Sequence, residues 1–161
     1  MANTSYLRKV VERYVRSQLQ EEYGQPFASV VLPLTTGGTH EFDAVSEDGT
    51  IVVSIKSSSG LTATGRNPSG KIKDSIAELY FLSLVPAVER QLILTTPAFF
   101  DIFMKVMKNK IAPGISVRRI PLPVDIQLEV DKIVAGASAE VSPVVRIQAV
   151  AAEVEAKADE S

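Results

Sequence analysis

The pair Asp48-Gly49 constrains this chain more than any other feature. It separates two short runs, residues 40–46 and 50–57, that flank it as the strands of a hairpin. Asp-Gly is favoured at the centre of tight hairpin turns, where both central residues take positive φ. Centring the turn on this pair sets Ala44 opposite Val53, Asp43 opposite Ser54, Phe42 opposite Ile55 and Glu41 opposite Lys56. Alternation then gathers Phe42, Ala44, Ile51, Val53 and Ile55 on one face and Glu41, Asp43, Ser54 and Lys56 on the other. A slip of one residue would mix the two sets, so the pattern specifies the register.

The elements around the hairpin follow from periodicity. Leu7, Val10, Val11, Tyr14, Val15 and Leu19 recur at helical spacing over residues 5–22, with Gly24 and Pro26 just beyond. Residues 27–34 are β-branched and apolar and predict a first strand, weakened at Pro33. Residues 57–70 are turn formers too polar to pack and predict a long surface loop. Beyond it the pattern predicts a helix over 71–85, a buried strand over 91–95, a helix over 97–108 that opens on Pro97, a strand over 115–120 and a short helix over 124–134. The order is helix, three strands, helix, strand, with an added helix and strand. A meander followed by a helical crossover implies an α/β protein with a mixed sheet flanked by helices.

With 161 residues, the chain fits one α/β domain, assigned to 1–137, followed by an acidic, Ala- and Glu-rich tail at 138–161 whose end is expected to be mobile. Hydrophobic residues make up 45% of the chain, enough to build a core. Cysteine is absent, which removes disulfides, thiol nucleophiles and Cys-ligated metals and suits a reducing cytoplasm. The single histidine, His40, rules out multi-His metal sites. No stretch approaches a membrane span, so the expected protein is cytoplasmic, with no membrane partner. A mean hydropathy of +0.13 leaves apolar surface for self-association, as in a homodimer.

Charge is distributed unevenly. Residues 1–124 carry 14 Lys and Arg against 11 Asp and Glu, whereas 125–161 carry 3 against 8. Two stretches have cations and no acids: 56–73, with Lys56, Arg66, Lys71 and Lys73, and 102–120, with Lys105, Lys108, Lys110, Arg118 and Arg119. Such clusters suit phosphate contact and equally suit a solvated face. Residues 65–72 match GxxxxGK but have Ile72 where a nucleotide-binding loop needs Ser or Thr, and no buried strand directly precedes them. Arg66, Lys71 and Lys73 are therefore read as a clamp for nucleic-acid phosphates.

The charged hairpin face has two readings: a cross-strand Glu41–Lys56 ion pair worth ~0.2–1 kcal/mol, or a carboxylate beside a lysine that holds a divalent cation. The run GGTHEFDAVSEDGTIVVSIKSSSG, with Asp43 in one strand and Ser54-Ile55-Lys56 in the next, resembles the PD-(D/E)XK nuclease-like superfamily of restriction endonucleases and Holliday-junction resolvases. The element order over residues 5–95 resembles its restriction endonuclease-like αβββαβ core. The resemblance implies metal-dependent hydrolysis of nucleic-acid phosphodiesters, most readily DNA, with Mg2+ or Mn2+. It makes Asp43 the principal metal ligand, assigns the Ile55 carbonyl to the metal shell, and gives Lys56 the task of orienting or deprotonating the attacking water. Glu12 in the first helix would supply an outer carboxylate, with Glu22 as competitor. Ser54 stands where that superfamily usually has Asp or Glu, so one negative charge is missing. Either the remaining carboxylates suffice for catalysis, or the scaffold binds nucleic acid or a protein partner without cutting. His40, by parity with Phe42, is read as structural. Tyr80, Phe81, Phe99, Phe100 and Phe103 are read as core, and Glu78 as solvated.

Overall fold

The computed structural model describes residues 4–57 and 65–141, with side chains over 5–57 and 65–132. In chain order the elements are α1 (Thr4–Tyr23), β1 (Phe27–Pro33), β2 (Thr39–Ser46), β3 (Ile51–Lys56), α2 (Ser69–Ser83), β4 (Glu89–Leu94), α3 (Pro97–Val106), β5 (Ile115–Arg119) and α4 (Val124–Val141). The strands form one sheet in the order β1-β2-β3-β4-β5, so β1 and β5 are its edges. β1–β2 and β2–β3 are antiparallel, while β3–β4 and β4–β5 are parallel. This is the mixed, helix-flanked α/β sheet that the meander and crossover imply. The last helix runs on to Val141, past the expected stop at 134. Residues 58–64 of the expected loop and 142–161 of the expected tail lie outside the described residues. Among the described residues no helix is long and apolar enough to cross a membrane.

Each sheet face buries its own cluster. Leu7, Val11, Val15 and Leu19 form one stripe of α1 and, with Val130 of α4, cover Ala44, Ile51, Val53, Ile55 and Ile93. On the other face, Ile72, Leu79 and Leu82 of α2 and Phe99 and Phe103 of α3 cover Phe42, Val45, Val52, Leu92 and Leu94. A fully buried side chain of this kind contributes about 1.5–3 kcal/mol, so the sheet is held from both sides. The helix α1 stops at Gly24, which takes φ 70°. Its N–H bonds the Gln20 carbonyl at 2.8 Å, the left-handed ending that glycine permits.

The hairpin keeps the expected register near its turn, with Ala44 opposite Val53 and Val45 opposite Val52. The turn itself differs. The Gly49 N–H bonds the Ser46 carbonyl at 2.9 Å, so Glu47 and Asp48 are central, and among the turn residues only Gly49 has positive φ. The Asp48 carboxylate holds this geometry by accepting from the Thr50 N–H (3.0 Å), the Thr50 hydroxyl (2.8 Å), the Ser46 hydroxyl (2.7 Å) and the Gln25 amide (3.1 Å). An Asx-type turn has replaced the two-residue loop.

The face assignment also needs correction. Between the pairs Ala28–Val45 and Val30–Phe42, β1 contributes one residue and β2 contributes two, Asp43 and Ala44. An extra residue of this kind is a β-bulge, and it reverses the alternation beyond it. Phe42 consequently packs with Val45 and Val52, away from Ala44 and Val53. The expected pairs Phe42–Ile55 and Glu41–Lys56 do not form: Glu41 sits opposite Val31, and its carboxylate accepts from the Ser29 hydroxyl at 2.8 Å.

Unfolding measurements test both the core and the turn. Phe42 is fully buried, so Phe42→Ala should cost ~3–5 kcal/mol in urea unfolding, and a loss below ~1 kcal/mol would contradict its placement in the core. Asp48 is held well below the usual carboxylate range, first by the Thr50 N–H and then by the Ser46 and Thr50 hydroxyls. Its contribution to stability is full above the unfolded aspartate pKa of about 4 and is lost as the pH falls further. The urea-midpoint gap between wild type and Asp48→Asn should therefore narrow between neutral pH and about pH 2.5.

Candidate functional site

Beyond the bulge, β2 and β3 separate, and the side chains assigned to catalysis divide between the two faces of that fork. On the α1 face, Asp43 is buried and takes the place of a missing backbone partner: its Oδ2 accepts the Ile55 N–H at 2.8 Å. Arg8 Nη2 donates to Asp43 Oδ1 at 3.3 Å, and Arg16 Nη1 donates to the Asp43 carbonyl at 2.8 Å. Between these arginines on α1 stands Glu12, with Arg8 Nε donating to its Oε1 at 2.6 Å and Arg16 Nη1 3.5 Å from its Oε2. The spacing of four residues brings all three α1 side chains onto one helix edge. Burial pushes the Glu12 carboxyl above its usual range. The Arg8 hydrogen bond opposes that shift, while the neighbouring Asp43 carboxylate reinforces it.

On the α2 face the centre is Glu78, a residue read from sequence as solvated. Its Oε2 accepts from the fully buried Ser54 hydroxyl at 2.9 Å and lies 3.2 Å from His40 Nε2, while its Oε1 is 3.9 Å from Lys56 Nζ. The His40 ring stacks on Phe81 with centroids 4.0 Å apart and meets Phe42 edge-on at 4.9 Å. The structural reading of His40 therefore gains a specific content, since its ring braces Phe42 and its nitrogen meets Glu78.

The structure thus brings Glu12, Asp43 and the Ile55 peptide together, and separately brings Ser54 and Lys56 together with Glu78 and His40. It does not bring Asp43 to Lys56: among the described residues no hydrogen bond or ion pair joins the two groups. The bulge is the reason, because it turns Asp43 toward α1 while Ser54 and Lys56 keep the alternation of β3. Glu22, the competitor for Glu12, pairs with Arg118 at 3.0 Å.

These residues do not fit a divalent ion as they stand. Both oxygens of Asp43 are engaged, and the Arg8 guanidinium spans Asp43 and Glu12 where a bridging cation would lie. Among the described residues no group of three or more His, Asp or Glu is placed to hold a metal. A cation would have to displace Arg8, whose side chain is 64% exposed. The hollow lined by Ser17, Gln20, Glu21, Gly24, Gln25 and Pro26 shares no residue with either cluster.

The proposed phosphate clamp lies at the start of α2. Arg66, Lys71 and Lys73 are exposed, and the first turn of α2 carries no acid. Its N-cap position is Pro68, without a side-chain hydrogen bond to the helix. In the second basic stretch Lys105, Lys108 and Lys110 are exposed, whereas Arg118 is committed to Glu22 and Gln91, each at 3.0 Å, and Arg119 lies 5.8 Å over the Phe100 ring. Sequence reasoning missed Arg8, Arg16 and Glu78. The charge alternation Arg8-Glu12-Arg16 was a usable signal. So was the position of Glu78 beside Leu79, at the edge of a buried stripe.

Comparison with protein-family models, curated proteins and solved structures finds no match.

The Glu12 carboxyl makes the electrostatics of the α1 cluster testable. Its folded pKa is raised, so the folded state holds its proton longer than the unfolded state. Stability from this group is full below the unfolded glutamate pKa of about 4.3 and is lost as the pH rises through the folded value. Glu12→Gln should accordingly gain on wild type in urea unfolding as the pH rises from about 4 to 7, and the opposite trend would show that the arginines already compensate the charge.

Proposed function

We propose that this chain is a nuclease-like nucleic-acid-binding module that holds the phosphate backbone without hydrolysing it, on a restriction endonuclease-like scaffold. The observation that carries this reading is the separation of the hairpin's carboxylate from its lysine. A PD-(D/E)XK-type mechanism needs both at one scissile phosphate, so that the charge on the attacking water and the charge on the phosphate are handled together. Here Lys56 faces Glu78, and Asp43 is engaged by Arg8 and the Ile55 N–H. Phosphate binding asks less of geometry. It needs exposed cations and backbone N–H groups, and the start of α2 offers Arg66, Lys71 and Lys73 beside a turn without acids.

A second reading, Mg2+- or Mn2+-dependent cleavage, is favoured by the Glu12–Asp43 carboxyl pair and requires Arg8 to leave it. A single set of measurements separates the two. Duplex, branched and single-stranded DNA are incubated with the protein in Mg2+ and Mn2+, with Asp43→Ala and Lys56→Ala as comparisons, and binding is followed by mobility shift over a range of salt. The binding module predicts a salt-dependent shift without cleavage. Lys71→Ala and Lys73→Ala should each weaken binding and lower the salt slope by about one for each phosphate that is no longer neutralised. Cleavage abolished by Asp43→Ala would replace this reading with the second, and the absence of any shift at low salt would remove both.

A further inference from the structure

The edge strand β1 is unusual in what it lacks. From residue 26 to residue 39 the chain carries no Asp, Glu, Lys or Arg. Sheet edges that must stay single are normally blunted by charges, prolines or bulges in the strand itself, because their free N–H and C=O groups template pairing with another chain. In β1 the extra residue of the bulge belongs to β2, and Pro33 sits at the last position. Ala28 to Val31 are exposed, with Val30 at 37% and Val31 at 59%. A strand open on both faces and uncharged at its edge is suited to a neighbour.

The backbone limits the registers that neighbour can take. The Leu34 N–H bonds the Gly38 carbonyl at 2.8 Å, so Leu34 faces β2. Pairing from Val30 to Pro33 is regular, which sets Leu32 and Val30 toward β2 as well and leaves Pro33, Val31 and Ser29 facing the open edge. Proline is thus placed where its missing N–H costs β2 nothing. An antiparallel copy of the same strand, related by a two-fold axis at Val30, sets Ser29 of one chain against Val31 of the other. Each such pair exchanges both backbone hydrogen bonds. Ala28 then lies opposite Leu32, and the next edge-facing pair sets Pro33 against Phe27, where the missing proline N–H ends the ladder. Neither copy of the strand carries a charge of its own, so no like charges are paired between the two strands; the carboxylate bonded to Ser29 comes from Glu41 of β2.

We propose that two copies of this chain join through β1 into a continuous ten-stranded antiparallel-centred sheet, with Ser29 and Val31 carrying the hydrogen bonds across the axis. This interface is independent of the nucleic-acid reading above. It is tested on the full chain by sedimentation velocity between about 1 and 200 μM, since a dimer's population follows concentration. The mass should approach twice that of the chain as concentration rises. Val31→Pro removes only an edge-facing N–H, and Val31→Lys sets two cations near the axis; each should restore the monomer with an unchanged circular-dichroism spectrum. Val88→Lys, at a position 80% exposed outside the strand, should leave the dimer intact. In wild type, amide exchange at Ser29 and Val31 should slow as concentration rises, a readout that needs no variant to fold. A monomer at every concentration, a dimer that survives both edge variants, or exchange at Ser29 and Val31 independent of concentration would overturn the proposal.

Discussion

The hydrogen bond from the Ile55 N–H to Asp43 Oδ2 is the contact on which the site depends. Where β2 bulges, the ladder to β3 ends at Ala44–Val53, and β3 continues with only β4 beside it. The N–H left over at Ile55 is buried, and a buried donor without a partner costs ~1–3 kcal/mol. Asp43 supplies the partner from its side chain. That role fixes the carboxylate at the fork, and Arg8 and Arg16 then offset the cost of burying its charge. A group engaged in this way is structural before it is anything else. The apolar stripe of α1 docks the helix on this face, and its arginines find a charge and a carbonyl to meet at the fork.

Much of the fold was legible because it rests on periodicity. The α1 stripe, the crossover helix α2 and the buried β4 are long or strongly patterned, and the Asp48-Gly49 pair located the hairpin closely enough to place Ala44 opposite Val53 and Val45 opposite Val52. The bulge was not legible. It inserts one residue into β2 without any compositional mark, and Asp43 and Ala44 read as ordinary alternation until β1 is set beside them. The reversed parity of Phe42 and the divergence of Asp43 from Lys56 both descend from that one residue. The turn was half legible: Asp48 and Gly49 were identified as its chemistry, but the Asp48 carboxylate satisfies four donors in a longer loop, which two residues at positive φ would not allow.

The two charge clusters behave differently because their surroundings do. The α1 cluster balances two acids with two arginines, and the arginines remain partly in water, so their contacts are exchangeable. The α2 cluster gathers Ser54, His40 and Lys56 around one acid, and none of these side chains is as exposed as Arg8. Ser54 is fully buried, and His40 is held between Phe42 and Phe81. A hydrogen-bonded carboxylate of that kind sets the position of α2 over the sheet, because Glu78 touches β2 through His40 and β3 through Ser54 and Lys56.

The serine at position 54 follows from that arrangement. An Asp in this position would set a second carboxylate against Glu78 inside the sheet–helix interface. The cation available to both would be Lys56, 3.9 Å from Glu78. Two like charges at hydrogen-bonding distance cannot both stay ionised in such surroundings, so one would hold a proton or α2 would move. A hydroxyl avoids the conflict by donating to Glu78 at 2.9 Å. A carboxylate therefore does stand beside position 54, contributed by α2 and bonded to the Ser54 hydroxyl. Because that carboxylate stands on the opposite face of the sheet from Asp43, the two acids cannot act on one atom without a rearrangement of the fork.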